Sequence, residues 1–65
     1  MLKAIIIDDE LYAREELNEL LVETNQVQVI EQCSNAIEGL KAINSLKPDV
    51  VFLDIHMPQI TGLEL

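Results

Sequence analysis

The sequence predicts an α/β fold, a doubly wound parallel sheet with helices on its two faces, and three observations carry that prediction. Leu2 to Ile7 and Val50 to Leu53 are short, nearly unbroken apolar runs of the kind found in strands covered on both sides. Strand-like and helix-like segments alternate along the chain, the pattern left by crossover connections between parallel strands. Each run also ends on acid: Asp8-Asp9 follows the first and Asp54 follows the second.

Taken in order, Leu2 to Ile7 is expected to be a central strand. From Leu11 to Thr24 the apolar residues Ala13, Leu17, Leu20 and Leu21 recur at helical spacing, with Arg14, Glu15, Glu16, Asn18, Glu19 and Glu23 assigned to the solvent side. Val27 to Cys33 mixes apolar and polar residues without clean alternation, which suits an edge strand. Asn35 stands three residues before Glu38 as a capping pair, and Ala36, Ile37, Leu40, Ile43 and Leu46 mark the expected buried stripe of a second helix, weakened by Gly39. Pro48 disfavours helical geometry at Lys47 and sets the stop, after which Asp49 to Asp54 reads as a third strand. Thr61 to Glu64 has the spacing of a capping box opening another helix, so the chain is expected to be the front part of a larger domain.

Sixty-five residues make at most one small domain, and with 49 % hydrophobic residues but only Tyr12 and Phe52 aromatic, its core must be aliphatic. Twelve acidic residues against four basic ones give a formal charge of −8, which repels a nucleic-acid backbone. The single Cys33 cannot form an internal disulfide, and no apolar run approaches the roughly 20 residues of a membrane span, so a reduced, cytoplasmic setting is expected. A dinucleotide site is poorly supported, because the first strand leads into Asp8-Asp9-Glu10 rather than a glycine-rich turn.

In a parallel sheet the two acidic tips share one edge. Three carboxylates gathered there attract a hard divalent cation, which would let one of them act toward a phosphoryl group. Carboxylates about 5 Å apart repel by roughly 3 kcal/mol per pair at an effective dielectric near 20, so the cluster calls for a cation. Plainer readings stand beside this one. An Asp-Asp pair can serve as a helix cap, and Asp54 can be a turn residue. Arg14 reads as a solvated partner of neighbouring Glu residues, Cys33 as a small core filler, Asn35 as a cap, and Tyr12 and Phe52 as packing residues.

The stretches I-I-I-D-D-E at positions 5 to 10 and V-V-F-L-D-I-H-M-P at 50 to 58, followed by Thr61-Gly62, resemble the receiver domain of two-component response regulators. Glu10 with Ala13-Arg14-Glu15-Glu16-Leu17, and Ile60-Thr61-Gly62-Leu63-Glu64, are most similar to regulators that carry a LytTR-type DNA-binding domain. Cys33-Ser34-Asn35-Ala36, Glu38-Gly39 and Lys47-Pro48-Asp49-Val50 bring the chain closer to the BtsR-like branch. The resemblance implies a flavodoxin-like (CheY-like) sheet, of which residues 1–65, the N-terminal part of a receiver, supply the strand order 2-1-3.

The resemblance also implies roles. Asp54 would be the phosphoacceptor, Asp9 a ligand of Mg²⁺, Asp8 a second group holding that ion through water, and the backbone carbonyl of His56 a further oxygen. The phosphoryl donor would be a sensor histidine kinase, and the output a LytTR domain that alone meets DNA. The chain would then be a signalling domain rather than an enzyme, and one prone to self-association. The family's Thr or Ser after its fourth strand and Lys after its fifth have no counterpart in these residues. Two alternatives remain: a self-associating module that pairs its open sheet edge, and a phosphatase with an Asp nucleophile. The latter class wants a second Asp two residues after the first, where this chain has His56.

Overall fold

The computed structural model describes residues 1–54. Five elements follow one another: β1 (Leu2–Ile7), α1 (Leu11–Glu23), β2 (Val27–Cys33), α2 (Ala36–Leu46) and β3 (Val50–Leu53). The strands form one sheet in the order β2-β1-β3, and β1 pairs parallel with both neighbours. Both the alternation of elements and the 2-1-3 order match expectation. The element expected from Thr61 lies outside the described residues.

The central strand holds the core because its residues are apolar on both pleats. Ala4, Ile5, Ile6 and Ile7 are between 0 and 1 % exposed. Burying each isoleucine contributes roughly 2–3 kcal/mol, so this run is the chief local source of stability. Ile5 and Ile7 point to the side of α2, where they pack with Cys33, Ala36, Ile30, Ala42, Ile43, Val51 and Leu53. By the alternation of a strand, Ala4 and Ile6 face the opposite side, where Ile6 lines a groove with Ala13, Leu17 and Phe52.

The mixed pattern of β2 has a geometric cause. Ala4 pairs with Val29 but Ile5 pairs with Glu31, so Ile30 has no partner on β1. This one-residue slip, of the kind a β-bulge makes, inverts the inside-outside phase. Val27 and Val29 serve one face of the sheet, whereas Ile30 and Cys33 serve the other.

Both helices sit about one position round from the stripes expected of them. α1 lies over β2 and β1, and its covered strip is Ala13, Arg14, Leu17, Asn18 and Leu21, all half-buried. Arg14 and Asn18 are therefore not on the solvent side. Leu20, expected inside, is 56 % exposed and lines a shallow groove with Ala13, Glu16 and Leu17. Tyr12 is not a packing residue either, being 83 % exposed in the first turn.

On α2 the inward residues are small. Ala36 and Gly39 are buried, Ala42 and Ile43 are half-buried, and Ile37, Leu40 and Leu46 are exposed. A Cβ on Gly39 would stand 3.0 Å from Cγ1 and 3.2 Å from Cγ2 of Ile7, and closer still to its Cδ1. The absent side chain lets the helix approach β1, and this turns the small residues inward at the expense of the larger ones. The ends of α2 follow expectation. The Asn35 side chain accepts from the Glu38 N–H at 2.9 Å, and Lys47 leaves the helix in left-handed geometry, with φ 47°.

Asp49 fixes where β3 begins. Its N–H donates to the Lys3 carbonyl at 2.8 Å, and its carboxylate accepts from the Lys3 N–H at 2.8 Å. This reciprocal pair sets the β1–β3 register that carries Ile7 opposite Leu53. Asp54, the next residue, is thereby placed beside the end of β1. No described helix is long and apolar enough to cross a membrane.

Candidate functional site

The site grows from the C-terminal ends of three adjacent strands. At the end of β1 the Asp8 N–H donates to the Cys33 carbonyl of β2 at 3.0 Å, and the Ile7 carbonyl accepts from the Asp54 N–H beyond β3 at 3.0 Å. The ladder therefore continues one residue past each strand, and Asp8 and Asp54 emerge from neighbouring tips. Parallel pairing places them at one end, as the topology required.

Asp8 also makes the turn into α1. Its Oδ1 accepts from the Glu10 N–H at 2.9 Å, an Asx turn that lets Glu10 take the N-cap position in extended geometry without a side-chain cap of its own. Neither member of the acidic pair is the N-cap of α1, which is Glu10; Asp8 shapes the turn ahead of the helix. Asp9 follows on the exposed side of the turn.

The three carboxylates meet. One oxygen each from Asp8, Asp9 and Asp54 lie within 4.8 Å of one another, with Asp8 and Asp54 half-buried and Asp9 exposed. At that separation each pair repels by about 1 kcal/mol under full water screening and by about 3 kcal/mol at a dielectric near 20. Such a set suits a small hard cation, which takes a few carboxylate oxygens and keeps several waters on its open side. The donor set is of the kind that a hard divalent cation such as Mg²⁺ would take. A groove of about 430 Å³, whose lining includes Asp8, Glu10, Asp54, Ala13, Leu17, Phe52 and Leu53, adjoins the cluster.

Of the residues singled out from sequence, the structure brings Asp8, Asp9 and Asp54 together. His56 lies outside the described residues. Arg14 was misplaced as a surface partner of Glu residues: it is half-buried, and its Nη1 donates to the Asp8 carbonyl at 2.6 Å. The available signal was its place one turn into α1, since helical side chains tilt toward the N-terminus and so reach back over the strand end. Cys33 is 3 % exposed in the core beneath the site. Burial pushes its thiol pKa upward, reinforced by Glu31 and Glu38 and opposed by Arg14.

Comparison with known proteins places this geometry. The family model described as the response regulator receiver domain matches residues 4–65. An uncharacterised response regulatory protein of Vibrio cholerae is 72 % identical over all 65 residues, and the transcriptional regulatory protein BtsR of Escherichia coli K12 is 51 % identical over the same span. The chain covers 27 % of each of these two proteins, so it spans about a quarter of the length of the relatives it matches. The crystal structure of the response regulator domain of Thermotoga maritima CheB superposes with a TM-score of 0.89 at 26 % identity, over 98 % of this chain and 48 % of that one. With a family match over nearly its whole length and relatives more than half identical to it, the chain belongs to the response regulator receiver domain family.

Proposed function

We propose that residues 1–65 are the N-terminal part of a receiver that accepts a phosphoryl group on Asp54. The observation that carries this reading is the convergence of Asp8, Asp9 and Asp54 from two strand ends, with oxygens within 4.8 Å. Asp8, Asp9 and Asp54 would hold Mg²⁺, aided by the backbone carbonyl of His56. When bound, that ion supplies positive charge against the carboxylates and against the charge that builds on a phosphoryl oxygen.

The chain's own residues do the rest. Asp54 is half-buried, its backbone is held by the bond to Ile7, and it lines the groove from which a phosphoryl donor would approach; one of its carboxylate oxygens would attack the phosphorus. That oxygen forms the new P–O bond while the P–N bond to a donor imidazole breaks, giving an aspartyl phosphate. The donor is a phosphohistidine on a sensor histidine kinase. The domain is a phosphoacceptor rather than a turnover enzyme, in a cytoplasmic regulator that self-associates and meets DNA through a LytTR output domain. Similarity to BtsR, which is named as a transcriptional regulatory protein, supports an output in transcription.

Beryllium fluoride with Mg²⁺ mimics the phosphoryl group, and amide resonances report on its binding. In the intact protein, shifts centred on Asp54 are expected, and they should vanish in Asp54→Asn. Absence of shifts in the wild-type protein refutes the reading. Steady release of phosphate from a phosphate ester would favour the phosphatase alternative instead.

A further inference from the structure

We infer that Arg14 is a positioning residue for the carboxylate site: through its bond to the Asp8 carbonyl it fixes the orientation of the peptide that joins Asp8 to Asp9. The inference rests on the proposal that these carboxylates hold Mg²⁺. Its basis is the local bonding. The Asp8 N–H is held by the Cys33 carbonyl, its Oδ1 by the Glu10 N–H and its carbonyl by Arg14 Nη1 at 2.6 Å. A peptide unit is a rigid plate. With the carbonyl of that plate anchored, the direction in which the chain presents Asp9 is set as well. Asp9 is exposed, so its carboxylate depends on the backbone beneath it rather than on packing.

The half-buried setting of Arg14 matters for a second reason. A guanidinium close to a divalent-cation site disfavours the ion electrostatically, so a bystander Arg and a positioning Arg predict opposite outcomes on removal. Without its charge alone, Mg²⁺ should bind more tightly. Without the anchor, Asp8 and Asp9 lose their mutual geometry and Mg²⁺ should bind more weakly, by about tenfold on the scale seen when groups that orient metal ligands are lost.

Two variants of the intact protein separate these cases. Arg14→Met keeps the aliphatic stem without charge or donor. Arg14→Lys keeps the charge but replaces the planar guanidinium fork with a point charge on a side chain one atom shorter, which weakens the anchor, and it serves if the Met variant fails to fold. Mg²⁺ affinity is read from amide shifts, and the metal-free spectra show whether the Asp9 amide has moved. The expected result is about tenfold weaker Mg²⁺ binding in Arg14→Met, clear weakening in Arg14→Lys, and a displaced Asp9 amide in both. Wild-type or tighter binding in a folded variant overturns the inference. If wild-type protein shows no Mg²⁺-dependent shift at Asp8, Asp9 or Asp54, the functional proposal itself has failed, a result distinguishable from the loss of the Arg14 role alone.

Discussion

Replacing Asp9 with Asn separates two effects that act on one carboxylate. In metal-free protein the change removes repulsion from Asp8 and Asp54, so stability should rise by about 0.5–1 kcal/mol, a modest figure because Asp9 is exposed and screened. With Mg²⁺ present, the stabilisation that ligand binding gives the wild type should shrink. Thermal melts with and without Mg²⁺ should therefore cross between the two proteins, and parallel curves would show that Asp9 is no ligand. Cys33 makes a different prediction. Its thiol holds a proton more firmly when folded than when unfolded, so its contribution is intact below the ordinary thiol value of 9.0 and is lost as pH rises above it. Cys33→Ala should flatten the alkaline fall in stability, measured by denaturant titration across that range. At this scale the acids were legible because position and type alone announce them. Arg14 was not, because its partner is a main-chain carbonyl, a group that every residue carries and no sequence marks.

Among the elements, β1 and the two ends of α2 could be read directly. An apolar run, an Asn-x-x-Glu cap and a proline after the helix each act locally. The helix stripes could not, nor could the slip within β2, although the bounds of β2 and its place at the sheet edge match expectation. Helical periodicity leaves an uncertainty of about one position, which only the partner surface resolves. For α2 that surface is Ile7 against Gly39, and for α1 it is the placement over β2 and β1. Gly39, which weakens the helix in isolation, is the residue that seats it. Gly39→Ala gains up to about 1 kcal/mol of helix propensity but drives a methyl group into the fully buried Ile7, at a cost of about 1–3 kcal/mol. A net loss of about 1 kcal/mol is expected in urea unfolding. A more stable variant would show that α2 can lift from the sheet at little cost.

For the molecule as a whole, a formal charge of −8 is spread over a body whose radius of gyration is 11.2 Å. The screening length at 0.1 M salt is about 10 Å, so acids on opposite sides still repel one another at low ionic strength. Raising the concentration of a monovalent salt should therefore raise the melting temperature, most steeply at the dilute end, and a flat response would show that local contacts dominate. The global architecture was legible because the crossover order and the acidic strand ends are sequential features. The slip at Ile30 was not, since it is a property of the pairing of two strands and of neither alone. It has a protective consequence for the molecule. A foreign polypeptide docking along β2 would meet a ladder thrown out of step midway, flanked by the exposed charge of Glu31, so that border is a poor template for fibrillar growth.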